Sequence, residues 1–373
     1  MKFSCERNVL NEAINIVQKA ASPKSTIPAL EGILIQIGED GIVKLSAYDL
    51  SISICYEIEA DNTEKGEVIL SSKLFGDIIR KMPSCYVTVE IDNKSYLTTI
   101  EGGRSNFTIT GMDTENFPEV PDVLSEDGIS LTYNDFRNMV RQTIFAVSIT
   151  DLKPILTGVL FELNADQGTV SAVAVDNFRL AIRKVPFAQV MGDFKKVVIP
   201  SRALNEMLKI LPEGEEDLIT INNSKSFVAF RYGNVKLVSR LLEGEFLDYK
   251  AALPKDYKFR VNVDVREFTH VIERAALMAN ATIISPIRCD FDYDRIEITT
   301  ASNLGKFEDF LQVENFNEKM VIGFNYKYML AALQACDDDV VQIELQSNLA
   351  PIILRPIEKD DYLFLVLPLR MKE

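Results

Sequence analysis

A spacing of 127 residues, kept to the residue, constrains this chain more than any other feature. Ala174-Val175-Asp176 ends a strand near the middle of the sequence, Ala47-Tyr48-Asp49 ends one before it, and Ala301-Ser302-Asn303 ends one after it. Asp49, Asp176 and Asn303 follow one another at 127 positions each time. Matching flanks at a fixed long period mark a unit copied in tandem. The length agrees, since 373 residues exceed one core and thirds of about 124 sit at ordinary domain size. Boundaries are expected at 1–123, 124–251 and 252–373.

Each copy runs through the same events. In the first, Val9, Leu10, Ala13, Ile14 and Val17 recur at helical spacing over 7–21, with Pro23 and Pro28 beyond. Strands follow at 30–37 and 43–47, and Ser71-Ser72 cap a second helix over 71–82. In the second, Thr132 and Asp135 open a helix over 132–146, and Pro200-Ser201 opens one over 200–211. In the third, Asp264 and Glu267 stand in capping-box spacing ahead of a helix over 264–280, and Asn325 starts the last, over 325–336. The loops around Asn116-Phe117-Pro118 and Gly244-Glu245-Phe246 read as linkers. Two helices and seven or eight strands per copy make an α+β fold.

Composition excludes several function classes. The apolar runs are too short to span a bilayer and the N-terminus has no apolar signal core, so a cytoplasmic protein without a membrane partner is expected. Five scattered cysteines, with no Cys-x-x-Cys pair, suggest neither disulfides nor zinc. His270 is the only histidine, which removes histidine-based triads and multi-histidine metal sites. The run Asp337-Asp338-Asp339 reads as a solvated turn, because consecutive carboxylates do not converge. Neither Gly102-Gly103 nor Gly233 precedes the Lys-Ser/Thr of a phosphate loop, and both read as hairpin turns. No catalytic residue, metal or cofactor is expected.

The net charge of −15 opposes a nucleic-acid partner until it is located. The six helical segments carry 12 Lys/Arg against 7 Asp/Glu, a balance of +5 that leaves −20 for the rest. A basic helical surface facing a polyanion would need that division, and Arg7, Lys73, Arg80, Lys81, Arg137, Arg141, Arg202 and Lys209 are its candidates. No helix has the dense basic run of a base reader, so backbone phosphates are the expected contact.

Several segments resemble the bacterial DNA polymerase III beta subunit, the replicative sliding clamp, over essentially the whole chain. They include Ser46-Ala47-Tyr48-Asp49-Leu50, Asn116-Phe117-Pro118, Thr143-Ile144-Phe145-Ala146-Val147-Ser148 and Pro154-Ile155-Leu156-Thr157-Gly158. Ser239-Arg240-Leu241-Leu242-Glu243-Gly244, Ile322-Gly323-Phe324-Asn325 and Leu367-Pro368-Leu369-Arg370 continue the match. The resemblance implies three tandem copies of a DNA-clamp domain and a head-to-tail homodimeric ring, with helices inside and sheets outside. It implies a non-catalytic processivity factor that encircles duplex DNA and tethers the polymerase. The implied partners are the DNA polymerase III alpha subunit, a clamp loader and other proteins carrying clamp-binding peptides. A scaffold of acidic repeats that never surrounds DNA is the rival reading.

Carried over by motif, the peptide pocket comprises Leu156, Val175, Asn177, Phe178, Arg179, Leu180, Leu247, Ala252, Pro351, Leu365, Leu367, Pro368, Leu369 and Arg370. Matching positions put Phe107 and Ile109 against the partner's Leu277 and Met278 at the dimer seam, with Lys73 near an acidic group. The family's Asp-Gly-His-Arg-Leu is here Asp176-Asn177-Phe178-Arg179-Leu180, Leu247 stands where proline is common, and the tail has leucines for methionines. A groove of altered shape and altered peptide ranking is expected. Met371-Lys372-Glu373 extends past the motif, to lie over the groove or to fray.

Overall fold

Side-chain caps set the helix starts where the sequence places them. Ser71 accepts from the Leu74 amide, Asp264 from Glu267 and Asn325 from Lys327, each satisfying an amide that the first turn leaves open. The computed structural model describes residues 1–123, 127–150, 152–214, 216–279, 286–303, 305–314 and 319–371. The first third holds β1 (Lys2–Glu6), α1 (Arg7–Val17), β2 (Gly32–Ile37), β3 (Val43–Tyr48), β4 (Ile52–Ile58), β5 (Asp61–Glu64), β6 (Gly66–Ser71), α2 (Ser72–Lys81), β7 (Tyr86–Ile91), β8 (Leu97–Gly102) and β9 (Ser105–Thr110). The central third holds β10 (Gly128–Thr132), α3 (Tyr133–Arg141), β11 (Gly158–Asn164), β12 (Thr169–Val175), β13 (Arg179–Pro186), β14 (Gln189–Met191), β15 (Lys196–Pro200), α4 (Ser201–Ile210), β16 (Leu218–Asn223), β17 (Phe227–Tyr232) and β18 (Val235–Arg240). The last holds β19 (Phe259–Asp264), α5 (Val265–Ala276), β20 (Ile287–Phe291), β21 (Arg295–Ser302), β22 (Gly305–Gln312), β23 (Met320–Phe324), α6 (Tyr326–Ala335), β24 (Val340–Leu345), β25 (Ile352–Pro356) and β26 (Tyr362–Val366).

Three helices are shorter than their apolar periodicity suggests. The first ends at Val17 and tightens into a 3-10 turn over Gln18–Ala20. The third stops at Arg141, where the Thr143 hydroxyl donates back to the Met139 carbonyl at 2.6 Å and Thr143 leaves helical geometry at φ −123. The fifth ends at Ala276, and Asn280, its expected end, lies outside the described residues. Val9 and Leu74, apolar by sequence, are exposed, while Leu10, Ala13, Ile14 and Val17 of α1 and Phe75, Ile78 and Ile79 of α2 are buried.

The chain packs as two compact units, and the cut passes through the central third. Met1–Tyr133, Ala188–Phe194 and Arg202–Leu241 form one; Asn134–Phe187, Lys195–Ser201 and Leu242–Glu373 form the other. Sheet continuity is the reason. In the first unit β18 bonds β4, so β10, β14 and β16–β18 extend the sheet of β2–β4 and β6 to nine strands, beside a five-stranded sheet β5-β1-β7-β8-β9. In the second unit β26 bonds β13, giving an eight-stranded sheet β15-β11-β12-β13-β26-β25-β24-β19 beside a four-stranded sheet β22-β21-β20-β23. Helices cover one face of each long sheet: α1 packs on β3 and β4, and α6 on β26. Among the described residues no helix is long and apolar enough to cross a membrane.

Candidate functional site

The repeated Asp is the hinge of the hairpin it ends. Asp176 Oδ1 accepts from the amides of Phe178 (2.7 Å) and Arg179 (3.0 Å), and Asp49 Oδ1 accepts from those of Ser51 (2.9 Å) and Ile52 (2.8 Å). An Asp side chain that bonds amides two and three residues on fixes a turn without help from the core. The third copy turns at Asn303, with Ser302 paired to Gly305.

Strand alternation then decides what the turn leads into. Along β26, Phe364 meets Phe145 edge-on at 5.4 Å on the face under α6, so Leu363 and Leu365 point to the opposite face. There Leu365 pairs with Leu180 and Leu363 with Ile182; Val175 and Val173 lie beside them on β12, and Ile353 on β25. One buried cluster unites these side chains with Leu156, Leu160, Val198 and Tyr249, and half-buried Ile155, Leu242, Phe246 and Leu253 pack against it. The linker after β18 therefore lies across this face. Gly244, at φ +126, a value that L side chains rarely adopt, carries the chain into it.

The corresponding seam in the other unit is different. Shifted by 127 residues, Leu180, Ile182, Leu363 and Leu365 become Ser53, Cys55, Lys236 and Val238, which pair in the same register where β4 meets β18. Val173 becomes Ser46. Since both seams close a continuous sheet, the fold does not require leucines on this face. Among the described residues the β4–β18 seam keeps a smaller apolar cluster, Val238 with Ala229 and Val123, and the broad leucine-lined floor lies at the β13–β26 seam.

The pocket residues expected from the sequence fall into three groups. Leu156, Val175, Leu180 and Leu365 are in the buried floor, closed over more than an open lining would be, because Phe246, Tyr249 and Leu253 lie on it. Leu247 and Ala252 are exposed on the linker, and half-buried Pro351 lines a cavity of about 190 Å³ with Leu253, Ile353 and Leu363. Asn177 and Phe178 are exposed at the turn, Arg179 is mostly covered, and Leu367, Pro368, Leu369 and Arg370 follow β26. The Leu367 amide donates to the Phe178 carbonyl (2.8 Å) and the Leu369 amide to that of Gly323 (2.7 Å), so the tail is fastened to both sides. Met371 packs where a Cβ on Gly323 would stand, at 2.8 Å, and is held; Lys372 and Glu373 lie outside the described residues.

Sequence reasoning missed Ile182, Leu363, Ile353, Phe145 and Tyr328. A signal existed for the first three: Leu180-Ala181-Ile182, Ile352-Ile353-Leu354 and Leu363-Phe364-Leu365 are each apolar at successive positions, the mark of a strand covered on both faces. Nothing local announces that Tyr328 of α6 meets Arg179, whose guanidinium carbon sits 4.8 Å from its ring centre and 5.7 Å from that of Phe145. Burial raises the Tyr328 hydroxyl above its ordinary value; Asp176 adds to the shift and Arg179 opposes it.

The basic helical residues are mostly engaged. Arg80 pairs with Asp77 (3.0 Å), Lys209 with Glu206 (2.8 Å), Arg141 with Asp337 and Arg202 with Asp49. Arg7 donates to the carbonyls of Ile79 (3.2 Å) and Arg80 (2.7 Å), capping the end of α2, which is a structural task. Lys73 and Lys81 are exposed on α2, and Arg137 is half-buried on α3. At the expected seam Phe107 and Leu277 are exposed, and Ile109 and Met278 half-buried. The three consecutive aspartates diverge: Asp337 takes Arg141, Asp338 accepts from the Tyr362 hydroxyl (2.7 Å), and the Asp339 carbonyl accepts from Val265. Among the described residues no cluster of His, Cys, Asp or Glu could hold a metal ion.

Comparison with known proteins gives one answer along the chain. Profiles of the DNA polymerase III beta subunit match its N-terminal domain to residues 1–121, its central domain to 130–248 and its C-terminal domain to 250–370. Curated relatives named Beta sliding clamp include that of Staphylococcus epidermidis, 34% identical over 381 residues, and that of Staphylococcus aureus, 35% over 382, each with 99% of both chains covered. Similar solved structures include the DNA polymerase sliding clamp from Bacillus subtilis (TM-score 0.92, 31% identity) and a putative DNA polymerase III beta subunit from Eubacterium rectale (0.93, 30%), each aligned over 100% of both chains.

Proposed function

The chain belongs to the DNA polymerase III beta subunit family of sliding clamps, and from that membership we propose that two copies close head to tail into a ring that encircles duplex DNA and holds the replicative polymerase to it. One observation carries the ring. The last strand of each copy (β9, β18, β26) has a counterpart in the strand after the Asp or Asn turn (β4, β13, β22). β18 bonds β4 and β26 bonds β13, which leaves β9 and β22 each at the edge of its own sheet. Open edges invite pairing with another chain. Joining β9 of one copy to β22 of another makes the missing joint, and two such joints close a dimer. Phe107 and Ile109 would then meet the partner's Leu277 and Met278.

The reading asks for no reaction by this chain. Cations on the helices would face backbone phosphates, and their pairing with nearby carboxylates keeps the contacts weak enough to slide. The apolar face at the β13–β26 seam would take a short apolar peptide from the polymerase or a clamp loader. Once ring and peptide are both engaged, a slipped polymerase rebinds at the effective concentration of a tethered partner.

Native mass with particle imaging tests the ring. A species of about 84 kDa, twice the 42.0 kDa chain, with an open centre is the expected result. A monomer at all concentrations up to tens of micromolar would remove the closed ring and leave the acidic scaffold.

A further inference from the structure

Phe178 is a large apolar side chain left in water on a turn that does not need it. The turn is shaped by Asp176, and its counterpart at Asp49 places Ser51 at the same position. Phe178 is nonetheless 45% exposed and its ring lies on Tyr328, with centres 5.6 Å apart and planes 16° from parallel. Tyr328 rests in turn on the Arg179 guanidinium, which also sits over Phe145. Arg179 Nε is anchored to Asp176 Oδ2 at 2.9 Å. The column of Phe145, Arg179, Tyr328 and Phe178 thus leads outward from half-buried Phe145, which packs on the core residue Phe364, and ends on an open aromatic face.

Resting on the groove reading above, we propose that this face is a specificity element, a fixed stacking platform for an aromatic side chain of the bound partner peptide. The platform adjoins Leu367, whose amide bonds the Phe178 carbonyl and which follows Leu363 and Leu365 in strand alternation, so it stands at the end of the floor on which the peptide's apolar anchors would lie. Stacked rings gain from their quadrupoles beyond the area they bury, which an aliphatic side chain of equal size cannot do. A platform already held on its far side loses little freedom on binding. Arg179 is committed to Asp176 and to two rings, so it offers no free cation to an acidic side chain, and the choice falls to an uncharged aromatic.

The test uses the full chain and leucine-rich hexapeptides carrying one phenylalanine moved along the sequence, each matched by a peptide with cyclohexylalanine at the same place. At one position the phenylalanine peptide is expected to bind about 3- to 10-fold tighter than its match. Phe178→Leu should remove that preference, bringing the phenylalanine peptide to the affinity of its cyclohexylalanine match, and Phe178→Tyr should retain it. Equal affinities at every position, or a preference that survives Phe178→Leu, would overturn the platform while the groove stands. No binding by any peptide would overturn platform and groove together. Leu247→Asp, on the linker rim, should weaken every peptide alike and so confirms where they bind.

Discussion

Glu162 fastens the linker to the groove through two donors at once. Its Oε2 accepts from the Tyr249 hydroxyl at 2.8 Å and lies 3.1 Å from Lys250 Nζ. Burial pushes the carboxyl up, but the bonds and charge from Tyr249 and Lys250 outweigh it and hold it below its ordinary value of 4.5. A carboxyl depressed in the folded state stabilises fully above its unfolded value and loses that contribution as pH falls through the lower folded one. Tyr249→Phe should therefore cost about 1 kcal/mol near neutral pH. In denaturant melts, its difference from the parent should shrink as pH drops through the acid carboxylate range; a difference that does not change with pH would place the effect in packing. Phe178 belongs to the same scale. Its exposure and its contacts, more than its identity, mark it out, since a lone aromatic in a sequence is more often core than surface.

At the scale of elements, the seams are decided by register. The Arg240 amide donates across the seam to the Ser51 carbonyl, as the Leu367 amide does to Phe178. On β18, Val238 has the same parity as Arg240, and counting from the hairpin pairs Tyr232↔Val235 and Gly102↔Ser105, Val238 corresponds to Thr108 on β9. The Thr108 amide is thus turned toward the open edge, away from β8. Thr108→Pro should remove a bond that in the proposed ring would form only between copies, and proline is tolerated on an edge strand. The expected outcome is an unchanged far-ultraviolet spectrum with at least a tenfold weaker dimer by sedimentation, the equivalent of about 1.4 kcal/mol. Wild-type dimerisation in this variant would count against strand pairing at the seam. Helix existence and caps were legible in the sequence because they rest on neighbours in the chain. The end of α3 was not, because the Thr143 hydroxyl competes with the helix for the Met139 carbonyl.

For the whole molecule, charge and topology must be weighed together. A chain of net charge −15, in which four of the eight candidate helical cations are paired with carboxylates, has little to gain from binding DNA by attraction. A ring needs none, because it is retained by being closed. Loaded onto nicked circular DNA, the protein should remain through a salt step that strips an ordinary phosphate binder by about a thousandfold, and should leave when the circle is cut. Release by salt from the intact circle, at a rate that linearisation does not alter, would speak for simple electrostatic binding.

The sequence by itself determined the triplication, the α+β class, the Asp turns, the helix caps and the partition of charge between helices and strands. Each of these depends on spacing along the chain or on a side chain meeting its own neighbours, and both are written in residue order. The tertiary structure alone decided that the central third is shared between two units, that Leu180 and Leu365 lie opposite each other under Tyr249, and that Arg179 is clasped between Phe145 and Tyr328. Of these, Leu180 with Leu365 and Arg179 with Tyr328 join residues more than 140 positions apart, through sheet register and helix packing. A shift of one residue in either strand would turn the leucines to the other face, so the groove exists only once the pairing is fixed.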